Sequence, residues 1–311
     1  MKPREAAVLG ALVADAAALG LHWLYDPARI AEVEARSGLI FLEPDTAHYA
    51  GTKGYFAHGM KHAGDLSGYG EVCLLMLRHL ANHDEFTRVE YQTEYRAHFG
   101  PGGAYVGYID SPTRHTLNVL LPLQPDEFPA ASGADDDQHP AMSALPAIVA
   151  MHTGTREALC ERVEKVVRIT NNDDVAVCAA QCMAQVLFDV MNGVAINQAL
   201  KDALPLAGIV LQASLEEALA LPQFDSVAAG EKFGPACHVT QGLPVIFHIL
   251  QHTQDYRTGI EANIRAGGDS CGRAIMLGAI LAAGAGESIP LSWLSRLARL
   301  QDITEALEKI S

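Results

Sequence analysis

The stretch AGGDSCGRAIMLGAILAAGAG, residues 266–286, has the residue types and spacing to build a polar site. Two glycines, Asp269, Ser270 and a further glycine lead directly into a small-residue apolar helix. The unpaired N–H groups of a helix's first turn and its dipole favour negative charge, and glycines let backbone approach a ligand. Arg273 stands just inside that helix, where its guanidinium can grip a phosphate or carboxylate in a fork. A cation there works against the helix dipole, which argues for a partner. Ala274, Gly278 and Ala282 make the helix thin enough to pack closely against another, which is also what a plain core helix needs.

The rest of the chain sets limits on that chemistry. Hydrophobic residues make up 49% and charged residues 19%, the balance of a globular protein with ample core. Net charge is −15, from 22 basic against 37 acidic residues, so there is no basic surplus for a nucleic-acid backbone. A small phosphorylated ligand needs only a few local donors and stays allowed. Asp15 interrupts the apolar N-terminal run, which argues against a signal peptide, and no apolar run reaches the roughly 18 residues of a membrane span. The six cysteines form no CxxC pair, which points to a reduced, cytoplasmic protein with no membrane partner.

Helical periodicity dominates, and convincing period-2 strands are missing. Helices are predicted over 3–19, 70–82, 86–98, 113–121, 141–151, 155–170, 174–191, 196–211, 215–221, 242–251, 256–266, 272–285 and 290–308. Residues 239–249 are β-branched enough to suit a strand as well. Long polar stretches at 39–67, 100–112 and 122–140 each precede a helix, and loops of that length are often functional. No linker divides the chain, so one all-α domain over 1–311 is expected, with long loops around a central cleft.

Four segments in order then suggest a family. GALVADAAALGLHWLYD near the start, GDLSGYGEVCLLMLRHL (64–80), TNNDDVAVCAA (170–180) and the 266–283 loop and helix together resemble the ADP-ribosylglycohydrolases. The closing GESIPLSW fits the same pattern. The resemblance spans essentially the whole chain. It implies an orthogonal helical bundle with its cleft at loop-to-helix junctions. It also implies hydrolysis of a glycosidic bond to ADP-ribose, on a small molecule or an ADP-ribosylated protein, with two Mg²⁺ held by carboxylates, threonine hydroxyls and water.

The chain departs from the family where those ions would sit. Ser67, Gly68, Tyr69 and Gly70 stand in place of Thr-Asp-Asp-Thr. Asp269 keeps the first acid of the last loop, Ser270 replaces Thr, Cys271 replaces the second acid and Gly272 the metal-binding Thr. Asn171 stands where the central segment has His. Asp269 and Ser67 are the metal-ligand positions left, and two such groups do not hold two Mg²⁺ ions that need about six oxygens each. No cofactor is therefore expected, with Mg²⁺ supported by the resemblance alone and Asp269 its ligand in any residual site. The acidic run 135–137 reads as a solvated loop, and Asp174 as a helix cap.

Other residues supply a different chemistry. His22, Trp23, Tyr25 and Asp26 follow the first helix, where the aromatics can stack an adenine or ribose and His22 can move a proton. Tyr69 can hydrogen-bond a ligand. Gln138 and His139 stand where the family offers an Asn-Gly pair, and Ser111 and Thr113 where it has a polar substrate loop. Two functions follow. One is a ribosyl hydrolase without the two-metal site, with Asp269 or Asp26 activating water or stabilising an oxocarbenium-like state and His22 as the acid. The other is a non-catalytic binding or structural relative, since some members of the superfamily serve as lens crystallins.

Overall fold

The computed structural model describes residues 1–284 and 289–310. The last residue of the helix expected over 272–285, and the first three residues of GESIPLSW, lie outside these. The described chain is helical, with isolated β-bridges in place of any strand. In order, the helices are α1 Pro3–Ala18, α2 Pro27–Ser37, α3 Gly68–His83, α4 Arg88–Phe99, α5 Ser111–Leu120, α6 Pro140–Ser143, α7 Leu145–Met151, α8 Arg156–Val167 and α9 Asp174–Met191. They continue with α10 Ile196–Ala203, α11 Gly208–Ala220, α12 Ser226–Phe233, α13 Val239–His252, α14 Tyr256–Arg265, α15 Ser270–Gly284, α16 Leu291–Leu294 and α17 Leu300–Ile310.

Several boundaries differ from the periodicity. α2 follows Asp26, whose carboxylate accepts from the N–H groups of Ala28 and Arg29, and Pro27 sits at its first position. That Asp-Pro pair is a helix-start signal. α12 is similarly started by Asp225. The expected 196–211 helix breaks at the 3₁₀ turn Leu204–Ala207, where Pro205 lacks an N–H and Gly208 takes φ +70°. The chain resumes as α11, which absorbs the separate helix expected at 215–221. The single helix expected over 290–308 is α16 and α17. Residues 239–249 are helical, with Pro244 inside α13. α9 is long and apolar enough in length and composition to cross a membrane, and 67% of it is buried inside the bundle.

α1 and α15 form the most extensive helix pair and the spine of the core. Their sequences are almost entirely small and apolar, so both are buried nearly all round. The axes approach because Gly10 faces Gly278: a Cβ on Gly278 would lie 2.4 Å from the Gly10 carbonyl oxygen and 2.5 Å from Ala14 Cβ. The same Gly10 carbonyl accepts from the Tyr256 hydroxyl of α14 at 2.7 Å. This contact brings the starts of α3, α6 and α15 together around the end of α1.

Ala is worth about 1 kcal/mol more than Gly in an exposed helix interior. At position 278 the added methyl meets backbone that no rotamer change can move, and overpacking of that kind costs about 1–3 kcal/mol. Set against that helix-propensity gain, Gly278→Ala should lower the urea midpoint by an amount worth about 1 kcal/mol. A variant as stable as the parent would show that the helices can move apart freely.

Candidate functional site

The α14–α15 turn is made by Gly267 and Gly268, both at positive φ (+73° and +64°). Its carbonyl and N–H at Gly268 pair with Trp23 N–H and the Leu24 carbonyl, each at 2.7 Å. This zips the segment after α1 onto the start of α15 and sets His22 against Asp269. Trp23 takes φ +62°, a left-handed conformation that an indole-bearing residue rarely adopts.

Asp269 is fully buried. Its Oδ2 accepts from the Tyr69 hydroxyl at 3.1 Å and faces His139 Nδ1 at 2.6 Å. Its Oδ1 accepts from the Gly272 N–H at 3.0 Å and has His22 Nδ1 at 3.5 Å. Burial alone would push this carboxyl up. The His139 ring and its hydrogen bond, together with Arg273, outweigh burial and hold it well below the usual carboxylate range. Tyr69 stays a neutral donor, because burial and the Asp269 charge raise its phenol.

His22 is also buried, and its Nδ1 accepts from the Cys271 N–H at 3.1 Å. That bond places the ring proton on Nε2. Burial lowers its pKa to about 4, against the opposing pull of Asp269. A neutral imidazole of this kind is a poor proton donor at neutral pH, which corrects the expectation of His22 as the acid. Asp26 is likewise corrected: it caps α2 and accepts from the Thr52 hydroxyl, away from the Asp269 cluster.

Arg273 does not face an anion at the start of its own helix. It is fully buried and turns to the end of α14, donating to Asn263 Oδ1 at 2.8 Å, the Asn263 carbonyl at 3.1 Å and the Gly267 carbonyl at 2.5 Å. A cation at a helix C-terminus is favourable, and this resolves the mismatch with α15's own dipole.

The remaining predicted residues divide between floor and rim. Ser67 caps α3 and is buried, donating to Asp15 Oδ1 at 2.5 Å while its N–H donates to Oδ2 at 2.8 Å. Ser270 is buried at the start of α15. Thr113 is buried and accepts from the Tyr95 hydroxyl, whereas Ser111 is exposed one turn away at the start of α5. Asn171 is buried and holds the acidic loop, donating to the carbonyls of Asp136 and Gln138. Gln138 is half-buried and turns back onto Asp136. Trp23 is 8% exposed, stacked on His58 and edge-on to Tyr108 with ring centres 5.0 Å apart. Its faces are taken by protein rings, which corrects the expectation that it stacks a ligand. Tyr25 is half-buried beside Lys53.

Three groups were missed as site residues. Asp15, although noted in the first helix, is a second fully buried acid, and burial pushes it up to about 7 against its bonds to Ser67. Its signal was an acid interrupting the apolar run that follows the first turn of α1. Asp110 caps α5, and burial raises it to about 6, with Asp269 and Asp136 adding to the effect. It directly precedes Ser111. His58, buried beside His22 and Trp23, carried no spacing signal.

The two buried acids give opposite pH dependences. Asp15 rises from 3.8 to about 7 on folding, so its contribution is full below about pH 4 and lost as pH climbs through 7. About three pH units at about 1.4 kcal/mol each make this about 4 kcal/mol. The stability of Asp15→Asn relative to the parent should therefore grow between pH 4 and pH 8 in urea titrations; a constant difference would refute it. Asp269 is depressed, so its contribution is present at neutral pH and lost in acid. Asp269→Asn should cost about 3–5 kcal/mol at pH 7, the loss expected when one partner of a buried charge cluster is removed. An unchanged urea midpoint would show the cluster to be dispensable.

Comparison with known proteins fits this architecture. The ADP-ribosylglycohydrolase family signature matches residues 5–311. Crystallin J1A of Tripedalia cystophora is 29% identical over 99% of this chain and 95% of its own length. Crystallin J1B of the same organism is 27% identical over 98% and 95%. A solved structure described as an ADP-ribosylglycohydrolase-related protein complex superposes with a TM-score of 0.75 at 16% identity, covering 99% of this chain and 96% of that one, a likeness of fold. The chain therefore belongs to the ADP-ribosylglycohydrolase family.

Proposed function

We propose that this chain is a non-hydrolytic member of its family, whose metal centre has become a packed polar core. One observation carries the reading: Asp269 is fully buried, and both of its oxygens are already engaged by protein groups. A carboxylate has about four lone-pair sites, and here Tyr69, His139 and Gly272 take three while His22 crowds the fourth. The donor set does not fit two Mg²⁺ ions. The positions from 67 to 70 carry no acid, Cys271 is a buried thiol whose pKa burial raises, and Asp15 is tied to Ser67. Mg²⁺ requires near-octahedral oxygen and keeps several waters. The relatives named crystallins support a role resting on solubility and packing, and a net charge of −15 favours solubility.

A second reading rests on the rim of the cleft. Asp110 is pushed up to about 6 by burial, and Asp136 is also raised, first by burial. Tyr55 and Tyr108 pack against each other there, with ring centres 5.7 Å apart. Two carboxyls in different environments are what acid–base cleavage of a glycoside uses. In this reading Asp110 protonates the leaving group and Asp136 activates water, with no metal.

Calorimetry with Mg²⁺ and with ADP-ribose, and turnover assays on ADP-ribosylated peptides and small conjugates, separate the two. The first reading expects no Mg²⁺ heat and no release of ADP-ribose, with or without Mg²⁺. Mg²⁺-dependent turnover abolished by Asp269→Asn would overturn it. Metal-independent turnover that falls at least about a hundredfold in Asp110→Asn, the range for loss of an acid–base group, would establish the second.

A further inference from the structure

The corner where α3 turns into α4 lies at the far end of α3 from Tyr69, and it gathers two imidazoles and a carboxylate. His79 and His83 stand one turn apart on α3, so their rings share one face of the helix. The ring centres are 4.7 Å apart. Glu94, from α4, reaches both: its Oε2 is 2.8 Å from His79 Nδ1 and its Oε1 is 2.9 Å from His83 Nε2. One ligand atom from each of the three lies within 4.8 Å of the other two.

Burial and charge at this corner suit a cation that imidazole favours. The His79 side chain is fully buried, while those of His83 and Glu94 are 33% and 29% exposed, which gives a dry floor and a side open to solvent. Burial lowers the pKa of His79 against the hydrogen bond and charge of Glu94, so at neutral pH its ring is neutral, the form that ligates. Glu90, one turn before Glu94 on α4, adds negative charge near that ring. Two histidines four residues apart on a helix, completed by a carboxylate, are a donor set for zinc and its neighbours in the first transition row. Mg²⁺, which takes oxygen, is not matched by it.

We propose that His79 Nδ1, His83 Nε2 and Glu94 bind a first-row transition-metal dication, Zn²⁺ foremost, with water completing the tetrahedron. Binding releases no net proton, because each neutral ring moves its single proton to its far nitrogen. His79 Nε2 has Thr87 N–H at 3.1 Å and Thr87 Oγ1 at 3.3 Å. In the metal-free protein it accepts from the N–H. In the metal-bound protein it donates to Oγ1, the outer-shell bond that holds a ligating histidine, and the N–H of half-buried Thr87 turns to water. The ion then ties the end of α3 to α4.

Calorimetry of the intact protein, stripped with a chelator and kept reduced, tests the site with Zn²⁺ as the probe and Mg²⁺ as the control. One equivalent of Zn²⁺ should bind, at least about a hundredfold more tightly than Mg²⁺, since imidazole selects the former. His83→Ala truncates a partly exposed ring and leaves the core intact, and Glu94→Gln keeps the shape of the side chain. Each should weaken Zn²⁺ binding by about tenfold or more, the scale of losing a group that holds the metal. Zn²⁺ should also raise the Tm of the parent and not that of His83→Ala, because the ion binds only the folded corner. His238→Ala, in the separate grouping of Asp136, Asp137 and His238, should leave the affinity unchanged. No heat with Zn²⁺, Mg²⁺ bound as tightly, affinity unchanged in His83→Ala or in Glu94→Gln, or binding lost in His238→Ala would each overturn the proposal.

Discussion

A charged carboxylate in a dry interior must be surrounded by donors, and Asp269 imposes that condition on the whole centre. The groups that answer it come from three places in the chain: the first turn of α3, the start of α6 and the first turn of α15. None of these is close to another in sequence, so folding them onto one anion fixes how the helix ends meet. The glycines follow from the same condition. A Cβ on Gly272 would lie 2.6 Å from His139 Nδ1, and one on Gly242 would lie 2.1 Å from His139 Nε2, so the His139 ring fits only because both positions are bare.

The residues around Asp269 then read as one connected arrangement. Several carboxylates can share a site only when cations neutralise them, because like charges in low dielectric cannot all ionise. The α3 loop carries Ser67, Gly68, Tyr69 and Gly70 and brings no acid to this cluster, and the neighbours of Asp269 there donate. Gly272 leaves room for His139. Cys271 sits with its Sγ 3.6 Å from the Asp15 carbonyl oxygen, a soft contact in a tight space. Asp15 shows what burial does to an acid with fewer compensating neighbours: two bonds from Ser67 do not offset desolvation, and its affinity for a proton rises.

The fold was legible in the chain because helical periodicity, the small-residue helix and the ordered family segments all point to one architecture. The cluster was legible in part. Asp269, Tyr69, His22 and His139 were each identified as candidate site residues from type and position, but their mutual bonding was not, since it joins positions up to 200 residues apart. Asp26 was misread because an acid beside His and Trp looks catalytic, while the Asp-Pro pair that starts α2 is a local signal of capping. Arg273 was misread for the opposite reason. Its local environment, the first turn of α15, disfavours a cation, and the compensation comes from carbonyls at the end of α14 that only the Gly267–Gly268 turn brings within reach.

Arg273 also bears on how the centre tolerates its charge. Burial lowers its pKa to about 10, so it remains a cation at neutral pH, and Asp269 favours that charge. The two buried ions do not touch, and each favours the other's charge across the glycine turn. A directly bonded pair would have used the carboxylate's acceptor sites on the guanidinium and left Tyr69 and His139 without partners. Keeping the arginine on the carbonyls of α14 reserves Asp269 for the donors of α3 and α6, and so joins the helix ends. Any chemistry that drew Asp269 away from those donors would strip the centre of the bonds that close it.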